Sequence, residues 1–143
     1  MSNDYKKVTG IGGIFFKSED PQKTKKWYAE KLGLVENDYG SMFEFRKSSK
    51  PEEKAYLQWS PMPADTEYFR PSTKEFMINF RVENLERLIE DLREDGVEIA
   101  GEIQSFEYGK FAHVIDPEGN KVELWEPPAA GVSDEFPGVT TKD

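Results

Sequence analysis

The sequence predicts an α+β fold built from two βαβββ modules. Three observations carry that prediction. The chain has 143 residues, enough for one domain with a real core and too few for two ordinary ones. Apolar residues alternate with period two in most segments and recur with a helical period in two, so strands flank two helices. The segment "FKSEDPQKTKKWYAEKLGL" from Phe16 is echoed by "FRVENLERLIEDLREDGVE" from Phe80, an offset of 80 − 16 = 64 that Asp20 and Asn84 share. Each copy reads strand, helix, then about three strands, the pattern of a duplicated fold with a cleft between its halves.

The elements follow in order. "VTGIGGIFF" (8–16) is rich in β-branched and aromatic residues and reads as a strand. Its glycines precede a strand rather than a helix. They therefore lack the helix N-terminus that binds phosphate, and mark a bulge or a close approach instead. Pro21 suits the first position of a helix that Gly33 stops, with Trp27, Tyr28 and Leu32 on one face. Strands are expected at 41–47 and 55–60, then an irregular connection over 60–74 holding three prolines and the pair Tyr68–Phe69. A strand at 75–82 leads to a helix capped by Asn84, with Leu85, Leu88, Ile89 and Leu92 on its buried face. Strands at 97–106, 110–116 and 121–126 close the second module. The expected organisation is one domain over 1–128, with modules at about 8–60 and 75–126, and an extended tail over 129–143 that lies along a partner subunit.

Composition excludes several functions. The net charge is −9, so nucleic acid and anionic membranes are poor partners, because phosphate binding needs clustered Lys and Arg. There is no cysteine, which removes disulfides, thiolate metal sites and Cys nucleophiles together. The first ten residues hold no apolar segment and no run is long enough to span a bilayer, so a cytoplasmic protein is expected.

One pair of residues could carry chemistry. In "HVIDPEGNKVELWEP" (113–127), Pro117 and Gly119 fit a type I turn with a following bulge. Asp116 then pairs with Asn120, Ile115 faces Lys121, and His113 faces Glu123. Opposed residues share a sheet face with Cβ atoms about 5 Å apart. The only histidine of the chain would thus stand beside a carboxylate. That is either a general acid/base pair or a polar cross-strand pair at a cleft edge.

These segments resemble the vicinal oxygen chelate superfamily, the group of glyoxalase I, extradiol dioxygenases and bleomycin-resistance proteins. The resemblance rests on "VTGIGGIFFKSEDPQKTKKWYAEKLGL" and "HVIDPEGNKVELWEP" and reaches to about Pro128. It implies a U-shaped mixed sheet around a cleft, and a homodimer. It also implies four metal-ligand positions, which fall on Gly13, Gln58, Met77 and Glu123. Glycine offers no ligand atom, and a thioether suits poorly the ions that this fold holds with nitrogen and oxygen. Only Glu123 matches, so neither a metal nor another cofactor is expected.

Two readings of function result, with a third in which the chain is a plain dimeric scaffold. In the first, the chain binds a small organic ligand without metal, as bleomycin-resistance proteins do. The alternating cleft face then supplies Phe15, Tyr56, Gln58, Met77, Asn79 and Trp125 as ligand contacts, with Trp59, Tyr68 and Phe69 as further stacking candidates. The opposite face, including Ile14, Phe16, Ile78, Phe80, Val122 and Leu124, packs beneath the helices. In the second, the chain is a lyase, isomerase or hydrolase in which His113 and Glu123 are catalytic.

Overall fold

A computed structural model describes residues 7–128 and 138–141. The expectations for the remaining N-terminal and tail residues lie outside the described residues. The chain divides into two compact units, one of residues 1–12 and 68–132 and one of 13–67 and 133–143. Here they are called unit 1 and unit 2. Strand β1 (Val8–Ser18) contributes its first half to unit 1 and its second half to unit 2.

In unit 2, helix α1 (Pro21–Leu32) begins with the Asp20 side chain accepting from Lys23 N at 3.1 Å and with Pro21 in its first turn. It ends at Gly33, whose φ of 78° puts it in the left-handed region. Tyr28 packs on Trp59 at 4.6 Å between ring centroids, which turns Trp27 (51% exposed) and Leu32 (60% exposed) to solvent. The helix face expected from Trp27, Tyr28 and Leu32 is therefore not the packed one. Lys25 is the buried residue of α1; its Nζ donates to Asn37 O at 2.9 Å and Asp38 O at 3.3 Å. Its apolar stem packs while its charge is satisfied by carbonyls.

Strands β2 (Ser41–Arg46) and β3 (Lys54–Pro63) are antiparallel, and β3 runs parallel to β1 with Gly13 opposite Gln58 and Phe15 opposite Ser60. Strand β3 runs past the expected end at Ser60. Its prolines, Pro61 and Pro63, lie beyond the last β2 pairing (Ser41 with Trp59), where that edge has no ladder hydrogen bond to lose. Residues 138–141 return to the outer edge of β2, where Val139 bridges Met42.

In unit 1 the strand order is β1, β4 (Phe76–Val82), β8 (Lys121–Glu126), β7 (Gly109–Ile115), β5 (Glu98–Ile99), and β6 (Gln104–Phe106) also pairs with β7. The single strand expected over 97–106 is thus two short ones. The chain turns away between them at Gly101, where φ is +91°. Helix α2 (Leu85–Glu94) starts at Asn84, which accepts from Arg87 N at 3.2 Å. Leu85, Leu88 and Ile89 pack with Val82, Ala112, Val114 and Leu124, and Phe80, Leu92 and Val122 join them. One face of this sheet is thereby committed to apolar packing, and the alternate residues are left for the other.

Candidate functional site

The turn after β7 sets the geometry of that other face. Asp116 N donates to Asn120 O at 3.0 Å, Gly119 N donates to Asp116 O at 3.0 Å, and Gly119 takes a φ of 85°. The register follows as counted from the sequence, with Ile115 opposite Lys121 and His113 opposite Glu123. On the other side of β8, the parallel ladder sets Asn79 opposite Glu123 and Arg81 opposite Trp125. Two rows result across three strands. One is Asn79–Glu123–His113; the next is Arg81–Trp125–Phe111.

Glu123 is the hub of the first row and is only 2% exposed. Its Oε1 accepts from Asn79 Nδ2 at 2.7 Å. Its Oε2 meets His113 Nε2 at 2.8 Å and also accepts a short hydrogen bond from the Tyr68 hydroxyl. Burial pushes the Glu123 carboxyl pKa up, but the bonds from His113, Tyr68 and Asn79 outweigh burial and hold it below the usual carboxylate range. An ionised carboxylate only accepts, so the network assigns the Nε2 proton of His113 as the one pointing at Glu123. Tyr68 is pushed the other way, far above the usual phenol value, by burial and by the charge of Glu123.

Tyr68 comes from the irregular connection before β4. It is held there by Lys121, whose Nζ donates to Tyr68 O at 2.7 Å and lies 5.1 Å from the ring centroid. The Tyr68 ring also stands edge-on to His113 at 5.5 Å. At 41% exposed, Tyr68 is the solvent-side member of the cluster. Burial lowers the Lys121 pKa, and the charge of Glu123 opposes that shift.

The glycine-rich start of the chain also finds its reason here. A Cβ at Gly12 would run into Asn79 Oδ1, and would sit 2.8 Å from Trp125 Cε3 and 3.0 Å from Arg81 Cγ. What comes close to Gly12 is neither backbone nor ligand but side chains of unit 1. Asn79 Oδ1, turned away from Glu123, is buried with no hydrogen-bond partner among the described residues. In the second row, Arg81 Cζ lies 5.0 Å from the Trp125 ring centroid, and Phe111 stacks on Trp125 at 6.0 Å with 7° between planes. Burial lowers the Arg81 pKa.

Of the residues expected at a site, unit 1 therefore brings together Asn79, His113, Glu123 and Trp125. Met77 lies on the same strand face as Asn79 and is fully buried. Phe15, Tyr56 and Gln58 lie in unit 2. There the Gln58 amide donates to Trp59 O at 3.1 Å and Ser60 Oγ at 3.2 Å, and Tyr56 is buried. Trp59 is not turned to that face; it packs with Phe16 and Tyr28. Phe69 is likewise core. Arg81 is not among the residues expected from the sequence, although alternation from Asn79 puts it on the same face. Tyr68 is expected there only as a stacking residue; its bond to Glu123 has no local signal, since an irregular connection carries no periodicity.

A metal fits this arrangement poorly. Both carboxylate oxygens of Glu123 already accept from neutral or imidazole donors of the chain. Gly13 brings no ligand atom and Met77 only a buried thioether. Among the described residues, no three of His, Cys, Asp and Glu cluster as a metal site.

Comparison with known proteins agrees with the fold. The family model described as Glyoxalase/Bleomycin resistance protein/Dioxygenase superfamily matches residues 10–124. No curated protein matches the sequence significantly. Among solved structures, the chain is similar to methylmalonyl-CoA epimerase from Mycobacterium tuberculosis, with 20% identity, a TM-score of 0.59, and coverage of 91% of this chain and 95% of that one. A Streptomyces coelicolor methylmalonyl-CoA epimerase variant in complex with 2-nitronate-propionyl-CoA gives 19% identity, a TM-score of 0.60, and coverage of 85% and 99%. The Mn(II)-bound glyoxalase from Novosphingobium aromaticivorans gives 17% identity, a TM-score of 0.58, and coverage of 91% and 42%. Likeness at this identity speaks for the fold alone. Among the described residues, no helix is long and apolar enough to cross a membrane.

Proposed function

Since the chain belongs to the glyoxalase/bleomycin resistance protein/dioxygenase superfamily, we propose that it is a metal-free member that binds a small organic ligand. The observation that carries this reading is the saturation of Glu123. Three donors take up both of its oxygens, so the one residue that matches the family's ligand positions is spent inside the protein. A carboxylate held below its usual pKa is also a weak general base. What unit 1 supplies instead for recognition is aromatic surface: the Phe111 ring stacked on the buried Trp125, and the Tyr68 ring on the solvent side of the cluster. This reading also takes the protein to be a homodimer in the cytoplasm.

A second reading has one observation in its favour. His113 and Glu123 are in direct contact at 2.8 Å inside unit 1. An isomerase or lyase could use that pair as acid and base, and proteins of the same fold include methylmalonyl-CoA epimerases.

Elemental analysis of the untagged protein, with calorimetric titration of Ni, Zn, Mn and Fe, tests the first reading. The expected result is no bound metal and no saturation up to about tens of micromolar. Near-stoichiometric metal that is lost in Glu123→Ala would overturn it. Ligands would then be sought through quenching of Trp fluorescence, with Trp125→Phe separating the signal of this face. A pH–rate profile with any accepted substrate, lost in His113→Gln, would move the assignment to the second reading.

A further inference from the structure

The outer edge of β2 carries residues 138–141 of the same chain, held by backbone and side-chain hydrogen bonds. Strand β2 is the last strand in its direction of the sheet order, and an edge strand offers unpaired N–H and C=O groups to any extended chain. Here Met42 N donates to Gly138 O at 2.8 Å and Thr140 N donates to Met42 O at 2.7 Å. These two bonds flank Val139, which bridges Met42 in the parallel sense and is only 7% exposed.

Side chains add sequence information to this backbone pairing. Gly138 has a φ of +67°, and a Cβ there would lie 2.6 Å from both Asn37 Cβ and Glu36 O. Only glycine passes that point without displacing backbone. The Thr140 hydroxyl accepts from Val35 N at 2.8 Å and shares a short hydrogen bond with the buried Ser41 hydroxyl. The Ser41 hydroxyl also donates to Gly138 O at 3.3 Å. The Thr141 hydroxyl accepts from Glu44 N at 2.6 Å and donates to Glu44 O at 2.9 Å, standing in for a strand partner's backbone.

We propose that the β2 edge, with Val35, Asn37, Ser41, Met42 and Glu44, is a strand-addition site specific for the Gly-Val-Thr-Thr sequence of residues 138–141. The C-terminal segment occupies it in cis. A single short bridge of this kind opens locally at far lower cost than the sheet beneath it, so the same sequence supplied in trans can take its place. The recognition mode is backbone pairing for affinity and alternate side chains for specificity. This inference is independent of the function proposed for unit 1.

The test uses the full-length chain and a fluorescent peptide of residues 134–143. Two variants weaken the segment in cis: Gly138→Ala, which puts a Cβ against backbone, and Thr140→Val/Thr141→Val, which removes the hydroxyls. With both shown to be folded by circular dichroism, fluorescence anisotropy should show the wild-type peptide binding to either variant about tenfold or more tightly than to the unchanged protein. A peptide with valine at both threonine positions should bind about tenfold more weakly. If folded variants do not take up the peptide, or take up a scrambled peptide equally well, the proposal is wrong.

Discussion

In unit 2, the parallel ladder of β1 with β3 sets Phe15 opposite Ser60. In unit 1, the parallel ladder of β4 with β8 sets Asn79 opposite Glu123. The internal repeat makes these rows counterparts, since 15 + 64 = 79, and Ser60 rather than Gln58 then stands where Glu123 stands. Their chemistry differs. Ser60 accepts from the Gln58 amide beside it in the same strand. Glu123 is an anion that three elements of unit 1 must satisfy at once, through Asn79, His113 and Tyr68. A duplicated scaffold thus repeats its helix N-caps, Asp20 and Asn84, while concentrating buried charge in one copy of the row. A buried anion is tolerated only where donors converge on it.

That contrast can be broken most severely at Glu123. Glu123→Ala leaves two buried donors, Asn79 and His113, and the Tyr68 hydroxyl without their acceptor and should cost about 3 kcal/mol in urea unfolding, whereas Ser60→Ala should cost about 1 kcal/mol or less. Equal losses at the two positions would show that the carboxylate network is not what distinguishes the rows. Gly12→Ala comes next. Its Cβ meets Asn79 and Trp125, so a loss of roughly 1–3 kcal/mol is expected from overpacking. Gly10→Ala is the control, because its Cβ would meet only Arg81 Cδ at an ordinary 3.8 Å.

Tyr68→Phe removes one charge-assisted bond and keeps the ring. Because Tyr68 is partly exposed, water can replace the hydroxyl, and a loss of about 1–2 kcal/mol should appear as a lower urea midpoint. The smallest effect is on the pH dependence. The folded-state pKa of Glu123 lies below the ordinary value of 4.5. Its contribution to stability is therefore present above that value and is lost as pH falls through the lowered folded pKa. Glu53 and Asp116 share this direction but are exposed, and they remain in both proteins compared. Glu123→Gln should accordingly flatten the acid side of the stability curve relative to wild type. An unchanged acid slope would mean that Glu123 is not the ionised hub of its row.

Much of this was legible along the chain because the determinants are local. The five-residue turn from Asp116 to Asn120 sets the register of β7 on β8, so counting back from Gly119 placed His113 against Glu123. Asn84, Gly33 and the Leu85–Leu88–Ile89 spacing marked the helices for the same reason. Where distant segments compete for one surface, local pattern misled. Trp27 and Leu32 look like a buried helix face, yet Lys25 and Tyr28 take that place because carbonyls of residues 37–38 and the Trp59 ring are there to receive them. The strand expected over 97–106 broke at Gly101 because β7 accepts two short partners along one edge.

By itself, then, the sequence determined the duplicated βαβββ order, the apolar face beneath α2, the absence of thiol chemistry, and the placement of His113 beside Glu123. Each rests on periodicity, on capping, on composition or on one tight turn, all of which act over a few residues. Only the tertiary structure decided that Tyr68 and Asn79, 55 and 44 residues away in sequence, would saturate the same carboxylate. It also decided that Thr140 and Thr141 would close the β2 edge from nearly 100 residues beyond it, at separations of 97 for the Glu44–Thr141 bond and 99 for the Ser41–Thr140 bond. Hydrogen bonds between distant segments leave no periodic trace in the chain, because they depend on which buried groups remain unsatisfied after the sheet has formed.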